Sequence, residues 1–449
     1  DALAVMKAVK ELFDPDGLLN PGVIFNDDPE CHIKHFKPLP LTNPLVDRCI
    51  ECGFCEVNCL TCGFALSSRQ RIIIQRELAR LKATGEDNER LKSLVKGYKY
   101  WGNETCAGDG LCSTSCPMHI NMGELTHVIR QQEMPEGSMG YKIGNFAANH
   151  FAGIKAALRP VLTLADTAHT VLGTKAMSAL TGGMHSLLNI PLWTPAMPKA
   201  FHVDKHLEAK QPKEKNKVVY FPSCINQTMG LDRASKGMRP LVEEMKSLLE
   251  KAVYEVIFPE NRESLCCGTI WESKGMADIA ERKVRELEEA LYKASCGGRY
   301  PVGCDQSPCL HRMKQCITKV KLYDSAEFIW DFLREKLEFH QINEPIALHV
   351  TCSTKHMKLD KMLYDLARLC SPDVLIPEGV GCCGFAGDKG MMTPELNAHG
   401  LRHLREQVQA KGIRTGYSNS RTCEIGLQTN SGIPYRSIVY LVNACTTKK

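Results

Sequence analysis

Seven cysteines in two short runs constrain this chain more than any other feature: Cys49-x2-Cys52-x2-Cys55-x3-Cys59 and Cys106-x5-Cys112-x3-Cys116-Pro117. Three thiolates at two-residue intervals, closed by a fourth, are the ligand spacing of paired iron-sulfur clusters. The first three cysteines of a run hold one cluster and the fourth crosses to the other. That rule groups Cys49, Cys52, Cys55 and Cys116 around one cluster and Cys59, Cys106 and Cys112 around its neighbour. Structural zinc also takes four cysteines, but it favours two separated Cys-x2-Cys pairs over a triple run closed by Cys-Pro.

The second run lacks its middle thiolate. The position separated by two residues from both Cys106 and Cys112 is Asp109, a harder oxygen donor that suits iron less well than thiolate. Three readings follow: Asp109 ligates the fourth iron, that iron is absent or exchangeable, leaving a 3Fe-4S site, or Cys62 completes the set.

With 449 residues the chain has room for two to four domains. Its 22 cysteines would suggest disulfides in a small secreted domain, yet Asp1 opens directly on a helical pattern with neither a cationic start nor an apolar leader. Reduced thiols in the cytoplasm are therefore expected. A net charge of +5, with basic and acidic residues interspersed, does not imply nucleic acid. The longest stretch free of Asp, Glu, Lys and Arg, Ala176 to Pro198, is broken by Gly182-Gly183, Pro191 and Pro195, so no membrane span is expected. The wider region Tyr141 to Ala200 is poor in charge and rich in Leu, Ala and Met. It reads as a buried helical connector, with a surface touching a membrane or partner as the alternative.

Between the cysteine runs lie 46 residues, Leu60 to Thr105, with helical patterns over Arg71 to Leu81 and Asn88 to Lys99. Arg69, Arg71 and Arg76 read as solvated helix charges, with Arg69 or Arg71 near Cys59 also placed to bond or bias a cluster. Spacers of this kind resemble the helical ferredoxins of respiratory enzymes that deliver electrons towards quinone.

From Lys217 onward the chain duplicates itself. A strand-like run, Val218 to Phe221, leads to Cys224, and another, Ile346 to Val350, leads to Cys352. Cys266-Cys267-Gly268 and Cys382-Cys383-Gly384 follow, each with Lys-Gly-Met beyond it, and the halves close with Cys309 and Cys423. Strand and helix alternate in each copy, with Ala277 to Ala294 reading as helix. Paired cysteines before glycine put two thiolates on a tight turn where the backbone can approach an inorganic core. Cys224, Cys266, Cys267 and Cys309 form one candidate set; Cys352, Cys382, Cys383 and Cys423 form the other. The competing reading is that these are small buried hydrophobes, but random burial would not repeat one order twice.

This duplication after a helical ferredoxin resembles the cysteine-rich (CCG) architecture of heterodisulfide reductase and of the iron-sulfur subunits of glycolate oxidase and anaerobic glycerol-3-phosphate dehydrogenase. The family pattern ends in Cys-x2-Cys, whereas here the ends are Gln306-x2-Cys309 and Ser420-x2-Cys423, with Cys304 out of register. The resemblance therefore implies a conventional four-thiolate cluster, or one empty lobe, in place of the noncubane clusters that use a fifth cysteine. At the amino terminus, a helix over Ala2 to Phe13, stopped at Asp14-Pro15, precedes Leu18-Leu19-Asn20-Pro21-Gly22-Val23-Ile24-Phe25. That string is similar to the closing helix and tail of FAD-linked oxidases of the D-lactate dehydrogenase family.

The resemblance implies a mixed fold: an oxidase tail over 1–40, an α-helical ferredoxin-like domain with two 4Fe-4S sites over 41–135, a helical connector over 136–212, and α/β CCG lobes over 213–342 and 343–449. It implies the electron-transfer portion of an oxidoreductase, a FAD-dependent D-2-hydroxyacid dehydrogenase. D-lactate is the leading substrate and D-2-hydroxyglutarate the next. FAD would sit in an upstream domain or a partner, and no catalytic residue is expected here. The acceptor would be quinone, a cytochrome or another redox protein, in a homo-oligomer that touches the inner face of the membrane peripherally. A separate iron-sulfur subunit, or an iron sensor built on the Asp109 corner, is the alternative.

His119, His127, His349 and His356 lie near the cysteine runs and read first as packing or solvated residues. Lys274 and Lys389 either moderate thiolate repulsion or start helices facing solvent.

Overall fold

Strands β1 (Lys217–Phe221), β2 (Glu255–Ile257), β3 (Val302–Cys304) and β4 (Leu322–Asp324) form a parallel sheet in the order β2-β1-β3-β4. After a short strand β5 (Leu337–Phe339), the pattern repeats. Strands β6 (Ile346–Leu348), β7 (Val374–Leu375), β8 (Gly416–Ser418) and β9 (Tyr435–Ser437) run in the order β7-β6-β8-β9, again all parallel. The duplication read from the cysteines is thus a duplication of topology. A final strand, β10 (Thr446–Lys448), returns to pair antiparallel with β5. The chain is described from a computed structural model over residues 2–34, 39–188, 190–203 and 216–449.

Both sheets are buried by helices, as parallel sheets require. Ala277–Ala294 presents Ile279, Val284, Leu287 and Leu291 to the first sheet at intervals of three to five residues. One apolar core runs through both lobes, joining Val218, Tyr220 and Leu248 to Leu348, Leu366 and Val439. At the seam the contact turns polar: Ser307 and Ser353 hydroxyls meet at 2.8 Å, and Ser307 N–H donates to Asn419 O at 3.0 Å.

The amino-terminal half is helical. Ser68–Thr84 starts on a reciprocal cap between Ser67 and Gln70, and Asn88–Tyr98 starts on Asp87. Val46, Ile72, Ile120, Met122 and Leu125 form a small core under the cysteine loops. Ala2–Phe13 is helical as its sequence predicts, but it buries none of its residues.

Phe151–Leu188 departs from expectation. It is a helical stretch broken at Gly173, where φ is 75° and ψ 169°. It is no buried connector, because Val161, Leu164, Val171 and Leu187 are exposed. Composition pointed inward; the polar residues of this helix are the ones that grip the protein. Among the described residues no helix is long and apolar enough to cross a membrane.

Candidate iron-sulfur centres

Cys49, Cys52, Cys55 and Cys116 line one cavity of roughly 380 Å³ including its open mouth. The first three come from the loop entering the short turn Phe54–Glu56, where Gly53 takes a φ of 85°. Ile72, Met118, Ile120 and Met122 line the same space, so its walls are apolar and its donors are thiols. The Glu51 N–H lies 3.4 Å from Cys49 Sγ, the kind of amide contact that stabilises a thiolate. Burial, then the neighbouring Cys59, Cys116 and Cys49, push the Cys55 thiol up to about 11. Ionised together these sulfurs would repel one another, so holding them as thiolates would need a bound cation.

Cys59, Cys106, Cys112 and Asp109 line a second cavity of roughly 300 Å³ including its mouth, together with Thr61, Arg71, Met122 and Gly123. Burial pushes the Cys112 thiol up to about 12. Asp109 Oδ1 accepts from the Leu111 N–H at 3.1 Å, while Oδ2 is buried with no hydrogen-bond partner. Burial raises the Asp109 carboxyl above the usual carboxylate range, opposed by the Cys382 thiol lying against it. A buried carboxylate oxygen left over beside three thiols fits a cluster corner. Cys62 is exposed and lines neither cavity; its carbonyl oxygen lies 3.1 Å from His399 Nε2. Among the described residues, no group of three or more His, Cys, Asp or Glu side chains is arranged to hold a single metal ion.

In the first lobe the thiols form a connected row, Cys224 to Cys266 to Cys267 to Cys309. Hydrogen bonds from Cys266 and Cys309 hold Cys267 well below the usual thiol range, while Cys266 and Cys309 are driven above it. The second lobe repeats the row as Cys352, Cys382, Cys383 and Cys423, with Cys383 and Cys423 sulfurs 3.1 Å apart. Gly384 and Phe385 N–H groups each lie 3.4 Å from a sulfur, those of Cys382 and Cys383. Both rows sit at the carboxyl ends of their parallel strands, where open α/β sheets bind ligands.

The glycine after each cysteine pair serves a purpose other than the expected one. Gly268 and Gly384 take φ of 87° and 71°, and a Cβ would fall 2.5 Å from Ala280 O or 2.8 Å from Leu396 O. The missing side chain admits backbone of the following helices, not an inorganic core. Cys304 stays outside the row, its thiol facing Gln306 O.

The arginines also depart from expectation. Arg71 is buried, donating to Gly102 O at 2.7 Å and to Thr61 and Thr105 hydroxyls at 3.0 Å. Arg76 is buried too, pairing with Glu51 at 2.7 Å and donating to Cys49 O at 2.9 Å. These side chains clamp the cysteine loops to the helix. The sequence signal was the apolar run Ile72-Ile73-Ile74 beside Arg71, which marks that turn as inward.

The duplicated lysines crosslink domains. Lys274 pairs with Asp388 of the other lobe at 2.6 Å, and Lys389 donates to Glu104 O at 2.7 Å. His356 Nε2 lies 2.7 Å from Asp109 O, joining the second lobe to the second cavity. His349 is buried and held neutral, its pKa lowered to about 3 by burial. His127 is half-buried, and desolvation lowers it to about 4.

Family comparison agrees with this arrangement segment by segment. Residues 45–120 match the 4Fe-4S dicluster domain, and residues 218–297 and 346–428 match the cysteine-rich domain. Residues 1–24 match the C-terminal domain of FAD linked oxidases. These matches point to an oxidoreductase. Among curated proteins, none matches the chain. Among solved structures, an aspartate racemase homologue from Pyrococcus horikoshii OT3 is 13% identical over 51% of this chain and 96% of its own, with a TM-score of 0.21. That likeness is too slight to carry an argument.

Proposed function

We propose that the chain is the electron-transfer portion of a FAD-dependent D-2-hydroxyacid dehydrogenase, with D-lactate as first substrate and D-2-hydroxyglutarate as second. The observation that carries it is order: an oxidase-type tail, a dicluster domain and two cysteine-rich domains follow one another in a single chain. Cys49, Cys52, Cys55 and Cys116 would hold one 4Fe-4S cluster. Cys59, Cys106, Cys112 and Asp109 would hold the second, and the two thiol rows are candidates for further clusters. When bound, such clusters supply one-electron relays, which a flavin that takes up a hydride needs in order to pass electrons on singly.

The chain's own residues set the conditions. Ile72, Met118, Ile120 and Met122 limit water at the first cavity, and Arg71 and Arg76 fix the loops that carry the thiols. Leu3, Val5, Met6, Val9, Leu12 and Phe13 of the amino-terminal helix are exposed, which supports a flavoprotein domain packed there, fused or separate.

Anaerobic protein joined to its flavoprotein domain tests the reading. D-lactate should bleach the iron-sulfur absorption and raise EPR signals within a turnover while L-lactate does not. If neither D-lactate nor D-2-hydroxyglutarate reduces the chain, the substrate class is wrong. The duplicated thiol rows favour a second reading, an iron-sulfur subunit serving a separate dehydrogenase or disulfide reductase.

A further inference from the structure

Two cysteines that belong to neither thiol row meet in the apolar core shared by the lobes. Cys370 closes the helix Asp360–Cys370, Cys445 follows the helix Ile438–Ala444, and they are 0% and 2% exposed. Leu363, Leu366, Leu441 and Val442 belong to the same core. One stretch of chain holds the two side by side. Just beyond β5, the His340 N–H donates to Cys445 O at 2.8 Å and the Ile342 N–H donates to Cys370 O at 2.9 Å. Cys445 Sγ lies 3.8 Å from Cys370 O, and the Cys370 thiol hydrogen-bonds to the Cys445 sulfur.

A buried cysteine is ordinarily a small hydrophobe. Here the surroundings of the sulfur differ. The Ile342 N–H also faces Cys445 Sγ, and the Lys251 ammonium, which donates to Asn443 O at 2.6 Å and to Thr446 O at 2.8 Å, sits beside the same residue. The Cys370 thiol, that amide and that ammonium hold the Cys445 thiol below the usual range, while Cys370 is driven above it. An easily ionised sulfur thus stands next to a protonated one, the pairing of an attacking cysteine with a resolving cysteine. Access runs through β10, three residues that pair with β5 alone. A two-stranded ribbon opens more readily than either four-stranded sheet, and Thr447 and Lys448 are already exposed.

We propose that Cys370 and Cys445 are a redox-modification site, where hydrogen peroxide forms a reversible disulfide that fastens the helix Ile438–Ala444 beside the linker between the lobes. The Cys445 thiolate attacks one peroxide oxygen and the O–O bond breaks. Cys445 becomes a sulfenic acid, and the departing hydroxide takes up the proton that the Cys445 thiol gave up, leaving as water. The Cys370 sulfur then attacks the sulfenic sulfur, and its proton leaves with the sulfenic oxygen as a second water. Two thiols lose two electrons and one peroxide gains them. The helix Ile438–Ala444 also reaches the first lobe, Tyr440 donating to Arg239 O at 2.8 Å and Asn443 to Glu244 at 2.6 Å, so the bond braces the junction of the lobes. None of this depends on what the thiol rows hold.

Peroxide titration of the full chain, purified without oxygen, tests the site. Samples are unfolded in iodoacetamide and mapped by mass spectrometry. Wild type should yield Cys370 and Cys445 peptides joined by a disulfide that dithiothreitol breaks. Cys370→Ala should stop one step earlier, with Cys445 held as a sulfenic acid that dimedone traps. The linked wild type should melt at a higher temperature than the reduced protein, because the bond constrains the unfolded chain; Cys445→Ala at the same peroxide dose and iron content should show no rise. Alkylation of both cysteines in wild type, at a dose that oxidises the exposed Cys296, overturns the proposal, and that result needs no variant to fold. A disulfide from Cys445 to any other cysteine overturns it too, and an unchanged melting temperature in the linked protein overturns the bracing. Iron and sulfide measured on the same samples read cluster loss separately from thiol oxidation.

Discussion

Gln306 Nε2 donates to Ser420 Oγ at 3.0 Å across the seam between the two lobes, and Gln306 Oε1 accepts from the Arg421 N–H at 2.9 Å. These are the two positions, each three residues before the closing cysteine, where the related cysteine-rich pattern carries a further thiolate. The side chains that replace it lock the lobes together, leaving four thiols in each row. Gln306→Ala would leave the buried Arg421 N–H unpaired and leave Ser420 Oγ with Thr422 Oγ1 alone at 3.2 Å, and should cost about 1–3 kcal/mol. Denaturant unfolding measures it, and a cycle with Ser420→Ala should show coupling between the two sites. Purely additive losses would mean that the seam does not depend on this pair.

Asp109 borders the second cavity where a thiolate is missing. Asp109→Cys should convert that corner to full thiolate ligation and remove any three-iron EPR signal from air-exposed protein. A signal that persists unchanged in the variant would place the exchangeable iron elsewhere.

Arg71 satisfies three acceptors from a buried position beside the same cavity. Arg71→Met should destabilise the protein by about 3 kcal/mol or more, because Gly102 O and two hydroxyls lose their donor. Arg71→Lys should recover little, since an ammonium cannot reproduce the planar fork. Thermal unfolding of the two variants would show this, and a Lys variant as stable as wild type would contradict it.

His349 gives the acid limb of stability a sign. Its pKa falls from 6.5 to about 3 on folding because the ring is buried, so the unfolded chain takes up a proton that the fold refuses. Its contribution is complete above pH 6.5 and is lost as pH falls through that value, by about 1.4 kcal/mol per pH unit. His349→Asn should flatten the dependence of melting temperature on pH between 7 and 5. An unaltered slope would assign the acid sensitivity to other groups.

Much of this was legible from residue order alone. Cysteine spacing puts Cys49, Cys52, Cys55 and Cys116 in one set, and these four side chains line one cavity, three of them only a few residues apart in the chain. The strands before Cys224 and Cys352 were equally local, as runs of β-branched and apolar residues. What escaped was three-dimensional. Arg71 and Arg76 read as solvated because nothing local shows that carbonyls from distant loops converge on them. The helix Phe151–Leu188 reads as buried from its apolar composition, whereas Glu263, Gln227 and Arg233 draw its polar stripe in. The contact of Asp109 with Cys382 joins residues far apart in sequence, beyond the reach of any spacing rule.

Iron and acid-labile sulfide measured on protein purified without oxygen decide whether these thiols hold clusters. The protein should be brown with iron and sulfide in about equal amounts, and should lose part of both when Cys55 or Cys112 is replaced by Ser. Colourless protein that holds zinc and no sulfide would contradict it.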